Sequence, residues 1–260
     1  MKITPIQTGT VAVRPRQVRG ARGPLRVPAT LVNRGWTAPM PMRAWLVEHP
    51  DGLIVVDTGE TARVNEPGYF PGWHPYYRRC LRQWITPDDE IGPQLRARGL
   101  SPDDVRWVVL THMHTDHAGG LDHFPRAEVV ISRAEWDYAT GFMGRQRGYL
   151  NQHWPTWLSP TLVEGDHELA DGVTLLATPG HSPGHLSVLV EGDPRVVLAG
   201  DASYTQQFML DGVVDGVSPK PRAALASNTR LRRLVAERPT VYLPSHDPDA
   251  ETRLTGGVPA

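Results

Sequence analysis

Residues 111–120 read THMHTDHAGG and place His112, His114, Asp116 and His117 within six positions. Directly before them runs VRWVVLT (residues 105–111), a continuous apolar stretch that predicts a buried strand. Neutral imidazole nitrogens and carboxylate oxygens are the donors that zinc, iron, manganese and cobalt accept. A loop at a strand's end can aim several such side chains inward, and Gly119 and Gly120 are expected to permit the tight turn this needs. The competing reading is a polar surface loop. It requires H-x-H-x-D-H to arise by chance after an apolar strand in a chain with 11 histidines.

Further donors stand in similar places later in the chain. His181 lies in TPGHSPGH, after the apolar run VTLLAT. Asp201 follows RVVLAG and His246 follows TVYLPS. Taken singly, each has a plain structural reading: a hydrogen-bonded histidine, or an aspartate in a turn or cap. Their shared position at the ends of apolar strands is what one site assembled from strand-end loops would show. On chemistry alone His185 competes with His181. Asp57, at the end of LIVVD, fits a carboxylate that orients a ligand or a bound water.

Outward from these motifs, AWLVEH and LIVVDT flank the turn Pro50-Asp51-Gly52 and predict a β-hairpin. A helix is expected over residues 91–98, ending at Gly99, and another over 133–142. Strands are expected over 127–132, within 161–178, and over 185–192, 195–200 and 240–245. Leu231, Leu234 and Val235 fall at i, i+3, i+4, with arginines on the other face, so a helix is expected before Pro239. The first forty residues, rich in Pro, Gly and Arg, are expected to form edge strands and loops. Residues 60–90 have weak periodicity and many aromatics, consistent with a cap over a site or a dimerisation segment. Strands with helices between them in both halves make the class α/β in layers. No linker-like shift in composition divides residues 1–260, so one domain is expected.

The bulk properties narrow the function. A length of 260 residues, 40% apolar and 21% charged, suits a folded chain with a sizeable core. A formal net charge of -1 gives no long-range field to gather nucleic acid or an anionic membrane. No apolar run reaches transmembrane length, and the first residues lack the apolar stretch of a secretory signal. Cys80, the single cysteine, has no partner for an internal disulfide. A cytoplasmic location is the resulting expectation.

The motifs VDTG (56–59), HMHTDH (112–117), TPGH (178–181), GD (200–201) and SHD (245–247) together resemble the metallo-β-lactamase superfamily, in its order and over nearly the whole chain beyond residue 40. TPGHSPGH followed by GDASYT (200–205) is most similar to the dinuclear quorum-quenching N-acyl-homoserine lactonases. The resemblance implies a four-layer αβ/βα sandwich with two divalent metal ions, zinc foremost, with iron, cobalt or manganese as options. It implies that His112, His114 and His181 hold one ion, that Asp116, His117 and His246 hold the other, and that Asp201 bridges them. It assigns His185 a supporting role. It also implies that Tyr204 points at the substrate carbonyl, where a phenol stabilises an oxyanion. Asp116 would pass a proton from the attacking water to the leaving alkoxide.

The expected reaction is opening of a lactone, N-acyl homoserine lactone above all, by a metal-bridging hydroxide. The expected partner is a small-molecule lactone or ester, with neither nucleic acid nor membrane involved, acting on a monomer or a homodimer. Trp36, Met40, Met42, Tyr69, Phe70, Trp73, Phe142, Met143, Trp154, Trp157 and Phe208 are candidates from which a minority would line an apolar pocket. Arylesterase or phosphotriesterase chemistry and a glyoxalase II-like thioesterase are the alternatives within the fold. Only residues 202–260 follow Asp201, which leaves little room for the helical substrate domain of glyoxalase II-like enzymes. A metal-stabilised binding protein is the non-enzymatic alternative.

Overall fold

Two β-sheets face each other in the computed structural model, which describes residues 1–21, 23 and 25–260. The first half contains β1 (Lys2–Val13), α1 (Pro15–Val18), α2 (Arg26–Val32), β2 (Met40–His49), β3 (Gly52–Val56), α3 (Pro75–Arg79), β4 (Leu81–Trp84), α4 (Ile91–Ala97), β5 (Val105–Val109), α5 (Thr115–Ala118), β6 (Glu128–Ser132) and α6 (Arg133–Thr140). There follow β7 (Thr161–Val163), β8 (His167–Ala170), β9 (Val173–Ala177), β10 (Leu186–Val190), β11 (Arg195–Gly200), α7 (Gln206–Asp211), α8 (Pro221–Glu237), β12 (Thr240–Pro244) and α9 (Ala250–Gly256). The seven-stranded sheet has the order β4-β1-β2-β3-β5-β6-β7, and the five-stranded sheet the order β12-β11-β10-β9-β8.

Period-two alternation sorts the side chains into layers. Trp45, Val47, Ile54, Val56 and Val109 point into the gap between the sheets, where they meet Leu175, Val188, Leu198 and Leu243. The alternate residues Leu46, Val55 and Val108 pack outward against Ile91 and Leu95 of α4. Beyond the second sheet, Val197 and Tyr242 pack on Leu231 and Val235 of α8 and Met209 of α7. Helix, sheet, sheet, helix is the four-layer αβ/βα sandwich.

The hairpin forms as expected, with Trp45 paired to Val56 and His49 to Gly52. Helix α8 ends at Glu237, before Pro239. The expectation for the first forty residues needs correction. β1 is a twelve-residue internal strand, hydrogen-bonded to β2 on one side and to β4 on the other. The edge is β4, drawn from the aperiodic 60–90 segment. Within that first stretch, Arg22 and Pro24 lie outside the described residues.

The site's strands meet at one edge. Asp57 N donates to Val109 O at 2.8 Å, Leu186 N to Thr111 O at 2.9 Å, and Ser245 N to Gly200 O at 3.1 Å. The segments that follow β3, β5 and β11, and the one that leads into β10, are thereby stitched across both sheets. Among the described residues, no helix is long and apolar enough to cross a membrane.

Leu198 is fully buried between the sheets. Leu198→Ala is expected to cost about 2–5 kcal/mol by loss of apolar burial and creation of a cavity. Leu225→Ala on the exposed side of α8 is expected to stay within about 0.5 kcal/mol. Denaturant unfolding of the two variants checks both values.

Candidate metal centre

β5 ends at Val109, and Thr111 to His114 turn inward before α5 begins. His114 stands at the N-cap of α5 and His117 within it, so one turn presents His114, Asp116 and His117. Gly119 and Gly120 have ordinary negative φ values, so they do not supply an unusual turn. Their role is close approach: a Cβ on Gly119 would lie 2.5 Å from Glu60 Oε1, and one on Gly120 2.5 Å from Thr58 O. Gly200 is different. At φ +54 it turns the end of β11 so that Asp201 enters the site, and a Cβ there would come within 2.7 Å of His185 Nε2.

All seven expected ligands converge. His112 Nε2 lies 3.0 Å from His114 Nδ1, which lies 3.1 Å from His181 Nε2. Asp201 Oδ2 is 3.4 Å from His181 Nε2, while its Oδ1 is 3.5 Å from His117 Nε2 and 3.3 Å from His246 Nε2. Asp116 Oδ2 is 3.5 Å from His246 Nε2 and 3.9 Å from His117 Nε2. One carboxylate thus presents an oxygen to each of two clusters.

The outer ring nitrogens show what faces inward. His117 Nδ1 donates to Asp57 Oδ2 at 2.7 Å, and His246 Nδ1 to Pro41 O at 2.9 Å. His181 Nδ1 donates to Asp215 Oδ2 at 3.3 Å. Thr111 Oγ1 gives its hydrogen to Asp57 Oδ2 and so accepts from His112 Nδ1 at 3.0 Å. A neutral imidazole has one N–H. With that N–H turned outward in all four rings, each presents a lone pair to the centre. His117 Nε2 and Asp201 Oδ1 are buried with no hydrogen-bond partner. Converging lone pairs and carboxylates repel unless a cation lies among them, so the residues fit a pair of metal ions. Three sets of donors are close enough for the purpose: His112, His114 and His181; His112, His117 and Asp201; Asp116, His117 and His246.

Proton affinities follow the same geometry. Burial, reinforced by neighbouring imidazoles, holds His112 well below the usual histidine range and His114 down to about 3. Burial also acts against charge on His117, but Asp57, Asp201 and Asp116 outweigh it and raise that group. His181 rises to about 9 because Asp215 and Asp201 overcome its burial. The carboxylates therefore call for positive charge that the first two histidines do not supply.

Two supports, Asp215 and Glu135, were not visible in the motifs as such. Asp215 holds His181 and is itself fixed by Ser218 Oγ and the N–H groups of Val217 and Ser218. Glu135 Oε1 accepts from Met113 N and Tyr149 Oη, and its Oε2 from Gly184 N, tying the two histidine loops together. His185 turns away from the cluster: its Nε2 accepts from Asp201 N at 3.0 Å, and its Nδ1 faces Thr178 Oγ1. Asp57 sits at φ 60, the one non-glycine at positive φ among the described residues. Such a conformation is strained, and the Asp57 hydrogen bonds to Val109, Thr111 and His117 hold it.

Beside the cluster opens a cavity of about 510 Å³. His114, Asp116, His181, Asp201, His246 and Tyr204 line one end, and Val11, Val13, Val27, Leu31, Trp73 and Leu81 the apolar wall. Of the apolar candidates named from sequence, only Trp73 lines it. Met40, Met42 and Phe208 pack in the cluster behind Tyr204 instead. The Tyr204 ring stacks on the His246 imidazole at 5.5 Å and 24°.

The description Metallo-beta-lactamase superfamily fits residues 39–246. The chain belongs to that superfamily. Within it, an N-acyl homoserine lactonase of Bacillus thuringiensis is 34% identical over 215 residues, 82% of this chain and 83% of the relative. The N-acyl homoserine lactonase AttM of Rhizobium radiobacter is 30% identical over 227 residues, 81% of this chain and 83% of its own. A solved N-acyl homoserine lactone hydrolase, with the product N-hexanoyl-L-homoserine at its catalytic metal centre, superposes with a TM-score of 0.81 at 30% identity. That match covers 96% of this chain and 95% of the other. This metallo-β-lactamase-fold chain is a metal-dependent hydrolase related to those lactonases.

Asp57→Ala and Asp215→Ala each remove the anchor of one inward-facing imidazole. Each is expected to weaken metal binding about 10–100-fold. Competition with a chromogenic chelator measures this directly.

Proposed function

We propose that this protein opens lactone rings, with N-acyl homoserine lactones as its substrate class. The observation that carries the reading is the cavity, which joins the His/Asp cluster to an apolar wall in a single space. A ring ester and its acyl tail need both surfaces together, and a volume of this order suits a small-molecule substrate. The lactonases to which the chain is similar support the same reading.

In this proposal His112, His114 and His181 hold one divalent ion, Asp116, His117 and His246 hold the other, and Asp201 bridges them. Zinc is the ion assigned, and iron, cobalt and manganese accept the same donors. When bound, the pair would supply Lewis acidity and a hydrolytic nucleophile near neutral pH.

The remaining chemistry belongs to the chain. Asp116 lines the cavity with its side chain 20% exposed, against 4% for Asp201. It can therefore touch the substrate and carry a proton on its carboxylate to the leaving alkoxide. Burial and the nearby Asp201 carboxylate push the Tyr204 phenol well above its usual range, so it stays a donor and stabilises charge on the carbonyl oxygen. Trp73, Tyr76, Tyr77, Leu81 and Gln83 also line the space. They are tied to their own chain through Tyr77 Oη to Gly148 O at 2.7 Å and His74 Nε2 to Gln146 O at 3.1 Å. We assign residues 60–90 as a cap that excludes water.

Hydrolysis rates for acyl-homoserine lactones of varied tail length, aliphatic lactones, aryl esters, thioesters and paraoxon-like esters test the proposal. Lactones are expected to be turned over fastest, and chelation to abolish the activity. Turnover of the other esters with none of any lactone contradicts the reading. Tyr204→Phe is expected to lower kcat about 10²-fold. Asp116→Ala is expected to do so by about 10²-fold or more. Full turnover by Asp116→Ala with both metals bound removes its proton-carrying role.

A further inference from the structure

Gln17 lies in α1, outside every motif of the site, yet its side chain is buried beside the cluster. Its Nε2 donates to Tyr76 Oη at 2.9 Å and to Tyr204 Oη at 3.0 Å. A primary amide has two N–H donors, and both are used here. A phenol that accepts such a bond still has its own O–H to give. Among the described residues, neither phenol gives that hydrogen to a protein acceptor. Both line the cavity alongside His114, Asp116 and His246.

The backbone holds Gln17 in place. Gly216 N donates to Gln17 O at 2.6 Å, and Gly20 N to Val214 O at 3.1 Å. A Cβ on Gly216 would fall 2.1 Å from Arg16 O, so the two segments touch backbone to backbone. The 214–216 strip that fixes α1 also carries Asp215, the anchor of His181.

Spacing decides what the two hydroxyls can read. The hydrogens of one NH₂ group diverge by roughly 120°, which sets the phenol oxygens on the order of 5 Å apart. A single acceptor on the line between them would overlap the amide nitrogen, and one that accepts from both must sit off that line, about 3 Å from that nitrogen. A substrate with two carbonyl oxygens a few bonds apart can take one bond from each hydroxyl without that crowding.

We propose that Gln17 sets Tyr76 and Tyr204 as a matched pair of donors, Tyr204 to the reacting carbonyl and Tyr76 to a second carbonyl a few bonds away. The favoured substrates are then lactones with an acylamino group next to the ring carbonyl, in preference to plain alkyl lactones. This rests on the lactonase reading above. Gln17 acts as a positioning residue, because it touches the phenols and not the substrate. Tyr76 is the specificity residue.

The test uses the metal-loaded enzyme and the ratio of kcat/KM for N-hexanoyl homoserine lactone to that for γ-decalactone, which lacks the amide. Tyr76→Phe is expected to lower this ratio roughly five- to tenfold, the loss of one hydrogen bond. Tyr204→Phe is expected to slow both substrates and leave the ratio within about twofold. Gln17→Met, with Gln17→Glu as a second, isosteric variant, is expected to slow both substrates and lower the ratio. Added to Tyr76→Phe/Tyr204→Phe, Gln17→Met is expected to cost nothing more, whereas a merely structural glutamine would add its own loss. Metal content and Tm are measured for every variant. An unchanged ratio in Tyr76→Phe, or a Gln17→Met loss that persists in the double-Phe background, overturns the inference while leaving the lactonase reading intact. A wild-type enzyme that turns over neither lactone overturns that reading and this inference with it.

Discussion

Four imidazoles turn their N–H groups outward and their lone pairs inward, and the rest of the site follows from that constraint. Asp57, Asp215, Pro41 and, through Thr111, Asp57 again receive the outward hydrogens. Pro41, Asp57 and Asp215 come from three different parts of the chain. The inward lone pairs meet two carboxylates, and such an arrangement is unfavourable without cations to bind it. Metal binding and correct folding of these loops are thus coupled, and the outer hydrogen bonds decide which nitrogen is available to a metal.

The sandwich supplies the edge on which this is possible. Segments following β3, β5, β11 and β12, and the one leading into β10, carry Asp57, the His112–His117 cluster, Asp201, His246 and His181 to one place. Two close-packed sheets fix those strand ends, so short loops suffice to aim the ligands. Two local irregularities lie where ligands are aimed. Asp57 takes a positive φ, and Gly200 leaves no room for a Cβ against His185 and Thr111. The cavity then grows from the cluster toward β1, α2 and the 60–90 segment, joining charge chemistry to an apolar surface.

Much of this was legible in the sequence, for definite physical reasons. His112, His114, Asp116 and His117 are contiguous, so their clustering needs no tertiary knowledge. His181, Asp201 and His246 each follow an apolar strand, and strand ends in a layered fold meet. Asp57 ends a hairpin strand and could be suspected of orienting a ligand. Asp215 could not be found this way, because it lies in an irregular stretch whose position is set only by docking against α1. Gln17 in the short α1 and Tyr76 in α3 stand outside every motif, and only tertiary packing brings them to the cluster. The internal place of β1 was not legible, because the strand that covers it, β4, is four residues long and sits in a segment with no clear period. The pocket wall was less legible, because Val11, Val13, Val27, Leu31 and Leu81 from β1, α2 and β4 carry no mark in the sequence that sets them apart from core residues, and they share the wall with Trp73, Tyr76 and Tyr77.

The central claim is a two-ion centre bridged by Asp201, and metal titration followed by turnover tests it most directly. Metal-free protein titrated with zinc is expected to bind two ions per chain, with lactone hydrolysis rising through the second equivalent. Asp201→Ala is expected to lose at least one ion and most of the turnover. Saturation of both binding and hydrolysis at one ion per chain, or an Asp201→Ala variant that keeps two ions and full activity, would contradict the account.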